Sequence, residues 1–296
     1  MKVLRIAARE GALGVAQAHE LMQAVRSYDS KIVPELVKIA AQQQAQSTDP
    51  YYAAMQQALT SGEVDLCVNN LEDLPLELSA ATPIVAVSKR RKPLDALICR
   101  KRGSSPDLSK PLCARGKGRR AQLAKIYPGW EILPTVRNTE QMLQALEEGE
   151  FGAIAISASD ADLLGLQSRV HLVFTPEQVL TSPGQGIIAV QGRVGENVSF
   201  LAGYHDVDAW DMALAERSFA KVLEGIEHPV YAVRSSVQGE GINVCGVLID
   251  PKGKHWEGDI SGSREDVVDL GAALAVQLKL DSTDPKQRKN FKFKIR

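Results

Sequence analysis

The sequence is short of several things. Its 296 residues contain no run of about 18 apolar residues, so no membrane-spanning helix is expected. Lysine plus arginine (35) and aspartate plus glutamate (36) nearly cancel, leaving a formal net charge of -1. Without a global field there is no electrostatic case for nucleic acid or a membrane surface as partner. The four cysteines, Cys67, Cys99, Cys113 and Cys245, form no C-x-x-C pair, which argues against a zinc site. The histidines are scattered without ligand spacing, so no metal site is expected. There is no P-loop and no strand-linked G-x-G-x-x-G, so nucleotide binding has no support. The opening MKVLRIAARE alternates like a strand and lacks the apolar core of a signal peptide. A cytoplasmic location with reduced thiols is therefore expected. No internal repeat or low-complexity segment is present.

What is there looks globular. Hydrophobic residues make up 44% and charged residues 24%, ordinary proportions for a soluble domain. Strand-like and helix-like patterns alternate over residues 3–8, 16–28, 32–41, 51–63 and 64–70, which predicts a parallel sheet with helical crossovers. Leu21, Val25 and Tyr28 mark one face of the first helix. Gly62 is placed to end the second helix. The alternation restarts at 93–100 and runs through a helix at 118–129, a strand at 131–136 and a helix at 138–150 capped by Asn138 or Thr139. The last part differs. A helix over 208–225 precedes three antiparallel strands with glycine-containing turns and a closing helix. The expected fold is thus two α/β domains plus a small C-terminal α+β domain. The tail KQRKNFKFKIR is basic and reads as a solvated end.

One stretch raises a chemical question. In VDLCVNNLEDLPLE (64–77) a short apolar strand breaks into Asn69 and Asn70, then Glu72 and Asp73, then Pro75. Ligands in open α/β sheets gather at the carboxyl ends of strands. The two acids therefore mark either a site or a wet turn.

Several segments together resemble the porphobilinogen deaminase (hydroxymethylbilane synthase) family. They are LRIAAREGALGVAQAHEL, LEDLP, GEFGAIAISASDADLLGL, TSPGQGIIAVQGR and LAERSFAKVLEG, in the family's order over nearly the whole chain. P-G-Q-G before an apolar strand, with the A-E-R helix about thirty residues later, is the most specific combination. The resemblance implies two periplasmic-binding-protein-like α/β domains facing each other across a cleft, with a third domain behind. The implied boundaries are 1–96 plus 191–211, 97–190 and 212–296. It also implies assembly of a linear tetrapyrrole from porphobilinogen with loss of ammonia. In the family a dipyrromethane primer is held on a cysteine through a thioether. A strand-end aspartate does the acid-base work, and lysines and arginines hold the acetate and propionate arms.

Carried across position by position, the resemblance keeps part of this machinery. Asp73 falls at the catalytic aspartate. Arg9 and Gln17 match substrate-binding positions, as does Arg119 in R-G-K-G-R-R, with Arg115, Lys117 and Arg120 nearby. The Gly-Lys-Gly spacing suits an anion cradle or a solvated basic turn. Arg137 stands one place from a family arginine. Other positions depart. Glu72 replaces a lysine, Gly11 a serine, Met142 an arginine, and the lysine-bearing lid loop aligns with QQQAQSTDP. Glu227 stands where the primer cysteine should be, followed by His228. A carboxylate forms no stable thioether, so no cofactor is expected although dipyrromethane is the family's own. Cys245 reads as core, Cys113 as the better-placed substitute thiol, and Glu227 with His228 as an exposed loop or a new acid-base pair. Each lost charge-assisted contact removes roughly 1.5–3 kcal/mol.

The expected function is that of a divergent hydroxymethylbilane synthase-like protein of tetrapyrrole biosynthesis without the primer cysteine. The alternative is a non-catalytic or repurposed paralogue that binds a pyrrole or small anion in the interdomain cleft. A monomer with a small-molecule ligand is expected.

Overall fold

The computed structural model describes residues 2–40 and 50–283. The lid-loop residues 42–49 and the basic tail 286–296 lie outside the described residues. The chain begins with β1 (Lys2–Arg9), α1 (Ala12–Tyr28), β2 (Ile32–Ile39), α2 (Pro50–Thr60), β3 (Leu66–Asn70) and β4 (Ile84–Val87). It continues with β5 (Asp95–Ile98), β6 (Leu112–Ala114), α3 (Lys117–Ile126), β7 (Ile132–Pro134), α4 (Thr139–Glu147), β8 (Ala153–Ser157), α5 (Ala158–Leu163) and β9 (Val170–Val173). The last elements are β10 (Ile188–Gly192), α6 (Val207–Leu223), β11 (Val230–Gln238), β12 (Gly241–Ile249), β13 (His255–Ser263) and α7 (Val267–Thr283).

Two compact units result, Met1–Arg91 with Gly186–Trp210, and Lys92–Gln185 with Asp211–Arg296. The first boundary falls at Arg91 rather than 96 because Asp95–Ile98 is already a strand of the second unit's sheet. The C-terminal strands and helices group with the second α/β sheet.

The first unit holds a five-stranded sheet in the order β2-β1-β3-β10-β4. Leu4, Ile6 and Ala8 alternate onto one face, where they meet Ala18, Leu21, Met22 and Val25 of α1. Ala7 and Cys67 point the other way, against Met55, Ala58 and Leu59 of α2. Each large side chain so buried contributes about 1.5–3 kcal/mol. Tyr28, expected on the buried face of α1, is 53% exposed, because the helix ends there and caps onto Asp29. Gly62 sits at φ +77° just after α2, as a helix-ending glycine should.

The second unit's sheet runs β7-β6-β8-β5-β9, with the same pattern of parallel and antiparallel neighbours. The wholly parallel sheet expected from the alternation is corrected in both units. Four strands of each sheet point one way and one runs against them: β10 is antiparallel to β3 and β4, and β5 to β8 and β9. A local pattern carries no information about the direction in which a distant strand returns. The N-terminus of α4 is fixed by Asn138, whose side chain accepts from the Gln141 N–H in a reciprocal capping box. The meander β11-β12-β13 buries one face under Phe219, Leu270, Leu274 and Leu278 of α6 and α7. Its other face sets Ala232, Val247 and Ile249 against Ala121 of α3 and Leu180.

Candidate functional site

In the first unit β3 stops at Asn70 and tightens into a single 3₁₀ turn, Leu71–Asp73. Leu71 is the anchor. Its side chain is 1% exposed and its N–H donates to the Ile187 carbonyl at 2.9 Å. This fixes the two acids that follow. Asp73 Oδ2 lies 3.4 Å from Arg9 Nη1, with both side chains largely buried, and the Arg9 guanidinium lies 5.2 Å from the Tyr51 ring centroid. Glu72 is half-buried. Close packing of α1 on the end of β1 depends on Gly14, where an added Cβ would sit 2.5 Å from the Arg9 carbonyl oxygen. On the α1 side, buried Gln17 donates through Nε2 to Asn70 Oδ1 at 2.6 Å. The structure thus brings Arg9, Gln17 and Asp73 to one strand end. It adds Asn70, Asn69 and Tyr51, which sequence reasoning passed over. Paired asparagines at a strand end look like turn residues, and only their burial marks them out.

In the second unit the loop after β6 enters α3 through Gly116, at φ +80°. Gly118 follows in the first turn, where a Cβ would lie 2.1 Å from the Tyr231 carbonyl oxygen. The cations of this loop divide by position. Arg119 is buried and bidentate on Asp95, Nε to Oδ2 at 2.6 Å and Nη2 to Oδ1 at 2.7 Å. Its Nη2 also donates to Gln185 Oε1 at 3.0 Å, and Nη1 to the Arg115 carbonyl at 3.3 Å. Asp95, fully buried, takes a further 2.8 Å bond from Gln185 Nε2. This guanidinium is therefore committed inside the frame. Arg120 is half-buried, its Nη1 reaching the Ala114 carbonyl at 3.5 Å, and burial lowers its pKa. Lys117 is exposed and Arg115 half-buried. Arg137 pairs with Glu150 at 2.7 Å and lies 5.6 Å from the Phe151 ring centroid. Its hydrogen bond to Glu150 raises its pKa.

The thiols sort by burial. Burial pushes Cys67 up to about 12 and Cys113 up to about 11, and raises Cys99 and Cys245. Cys113, favoured from sequence as a substitute primer thiol, is a fully buried residue of β6. Cys245, expected in the core, is half-buried on β12. Its Sγ donates to Asn243 Oδ1 at 3.0 Å, and it lines a cavity of about 620 Å³ with Gln122, Lys125 and Leu180. Glu227 and His228 are exposed in the turn between α6 and β11. That turn carries a carboxylate and no thiol, so these residues do not fit a thioether-held dipyrromethane. No helix among the described residues is long and apolar enough to cross a membrane. Nor do the described residues include a group of three His, Cys, Asp or Glu side chains placed to hold a metal ion.

Two mixed sheets with the same pattern of parallel and antiparallel neighbours, each with charged and amide side chains at the ends of its parallel strands, define a two-domain α/β protein of the periplasmic-binding type with a C-terminal sheet-and-helix region. The chain belongs to the porphobilinogen deaminase family, since residues 4–199 match the family model for porphobilinogen deaminase, dipyromethane cofactor binding domain. It is 34% identical over 285 residues to a porphobilinogen deaminase of Alkaliphilus oremlandii, covering 93% of this chain and 96% of that one. It is also 34% identical over 284 residues to a porphobilinogen deaminase of Acetivibrio thermocellus, covering 93% and 97%. Among solved structures it is similar to the periplasmic aliphatic sulphonate binding protein SsuA from Escherichia coli, at 20% identity and TM-score 0.39, covering 75% and 70%. Membership of the family places the chain in tetrapyrrole biosynthesis.

Proposed function

We propose that the chain binds a pyrrole or small anion at the β3 strand end of its first unit and does not extend it on a cysteine-bound primer. The observation that supports this is the exposed carboxylate of Glu227, which the resemblance sets at the family's thiol position, together with the burial of Cys67, Cys99 and Cys113. The cations support the same reading. Arg119 is spent on Asp95, Arg137 on Glu150, and Arg9 lies against Asp73. A growing chain with two carboxylates per pyrrole needs many uncommitted donors, and the Arg119 guanidinium is not one of them. A single pyrrole asks for much less. Asp73 accepts from its ring N–H, and Arg9 takes one carboxylate in exchange for part of its contact with Asp73. Gln17 holds Asn70, and through it the turn that carries Asp73. Glu72, beside Asp73, opposes a second negative arm.

The test is the intact mass of the protein before and after incubation with porphobilinogen, with ammonia assayed in parallel and binding measured by calorimetry. The expected result is an unchanged mass, no ammonia, and saturable binding weakened about tenfold or more in Asp73→Asn and Arg9→Ala. Stepwise mass increases of one pyrrole unit with ammonia release would overturn the proposal, and Cys245 is the thiol to map first.

A further inference from the structure

Asn69 is 1% exposed, and neither its Nδ2 nor its Oδ1 has a hydrogen-bond partner among the described residues. Buried carboxamides left wholly unpaired are rare and call for an explanation. The position of this one is informative. Side chains alternate along a strand, so Asn69 shares the face of Cys67, which packs with Ala7 and Met55 on the α2 side. The β1–β3 ladder pairs Ile6 with Leu66 and Ala7 with Cys67 and ends there; continued two residues further, the same register sets Arg9 opposite Asn69. On the other side Asn69 faces Ala189 of β10, whose methyl offers no hydrogen bond. The unpaired amide therefore lies beside Arg9, the residue that pairs with Asp73 and lies against Tyr51.

A carboxamide presents one donor edge and one acceptor edge. A ligand carboxylate offers acceptors only. It satisfies Nδ2 and sets its own charge against Oδ1. A ligand amide or lactam answers both edges, its carbonyl accepting from Nδ2 and its N–H donating to Oδ1. Glu72 adds a negative charge at the same strand end, while Gln17 and Asn70 are paired with each other on the α1 side. We infer that Asn69 is a specificity-determining residue and that the preferred ligand is a pyrrole bearing a carboxamide or lactam group in place of a carboxylate arm. The inference rests on the proposed use of this strand end as a ligand site. Entry requires the first turn of α2 to move, because Tyr51 covers Arg9 there.

The experiment compares 5-carbamoylpyrrole-2-carboxylate with pyrrole-2,5-dicarboxylate, a pair that leaves Arg9 one carboxylate in both, as calorimetric probes on the full chain, in the wild type and in Asn69→Leu, alongside porphobilinogen. The expected result is an amide preference of about tenfold or more in the wild type. N69L should abolish the preference while raising the melting temperature of the ligand-free protein by about 2–4 °C, because two unpaired groups leave the interior. Equal or tighter binding of the dicarboxylate overturns the assignment to Asn69, as does an amide preference that survives in N69L. A melting temperature lowered in N69L points to a buried water that already satisfies the amide, and also overturns it. Should N69L fail to fold, the wild-type comparison alone decides. If neither probe nor porphobilinogen binds the wild type, the ligand site itself fails, a result distinct from a lost preference.

Discussion

Arg119 offers the sharpest prediction, because sequence and structure assign it different work. By resemblance it holds a substrate carboxylate. In the structure it is bidentate on a fully buried Asp95 at 2.6 and 2.7 Å, with Gln185 bridging both. Arg119→Met removes the guanidinium from a carboxylate in the interior, and Asp95→Leu removes that carboxylate from a buried guanidinium. Breaking a buried pair from one side costs about 3–5 kcal/mol. With denaturant slopes of about 1–3 kcal/mol per molar, urea midpoints should fall by roughly 1–5 M. The double variant removes both charges together, and apolar replacement of a buried pair is often neutral. It should therefore recover most of the loss, with a coupling near the upper end of the usual range of about 0.5–3 kcal/mol. Urea unfolding followed by tryptophan fluorescence suits the measurement, since Trp130 and Trp256 both lie in the second unit. The reasoning is refuted if R119M costs under about 1 kcal/mol while porphobilinogen binding collapses, for then the guanidinium serves ligand rather than frame.

Three further outcomes are expected. In the native protein at pH 8, Cys245 should react with a maleimide while Cys67, held at about 12, and Cys113, held at about 11, stay inert; peptide mapping of the labelled chain checks this. Glu216 is fully buried and accepts from the Gly184 N–H at 2.7 Å, the Ser235 N–H at 2.6 Å and the Ser235 hydroxyl at 2.8 Å; Glu216→Ala strands these donors and should cost about 3 kcal/mol or more by thermal or urea unfolding. At Asp65 burial pushes the carboxyl pKa up, but bonds from the Arg5 N–H and guanidinium and from Arg193 outweigh it and the net shift is downward. The stability this supplies is present above the ordinary carboxylate pKa of about 3.9 and is lost as pH falls through the depressed value, so Asp65→Asn should flatten the unfolding profile below about pH 4.

Local signals in the sequence located most elements because their causes are local. Asn138 announces the start of α4 through its capping box, Gly62 marks the end of α2, and glycine-bounded strands mark the C-terminal meander. Two strands, Ile84–Val87 and Val170–Val173, were not legible, since four residues are too few to show a period. The site was legible in part. Asp73 and Arg9 stand in recognisable strand-end positions. The fate of Arg119 depends on Asp95, 24 residues earlier, and nothing in a guanidinium's own neighbourhood says whether its partner is a ligand or another side chain. Asn69 reads only as the end of a strand, because burial is a property of what packs over a residue. The same applies to the thiols, where Cys113 and Cys245 exchanged their expected exposures.

The strand order has a consequence for how the chain is made. Every strand of the second α/β sheet lies between Asp95 and Val173, so that sheet can close as soon as this stretch has left the ribosome. The first sheet cannot, although most of it is synthesised earlier. β4 hydrogen-bonds only to β10, and β10 ends at Gly192. Until then β3 presents an open edge to the nascent chain's surroundings, its backbone unpaired on the side that β10 will fill. The second-made sheet is thus completed first, and the strand end that carries Asp73 takes its final form only after the Ile187 carbonyl arrives to receive the Leu71 N–H.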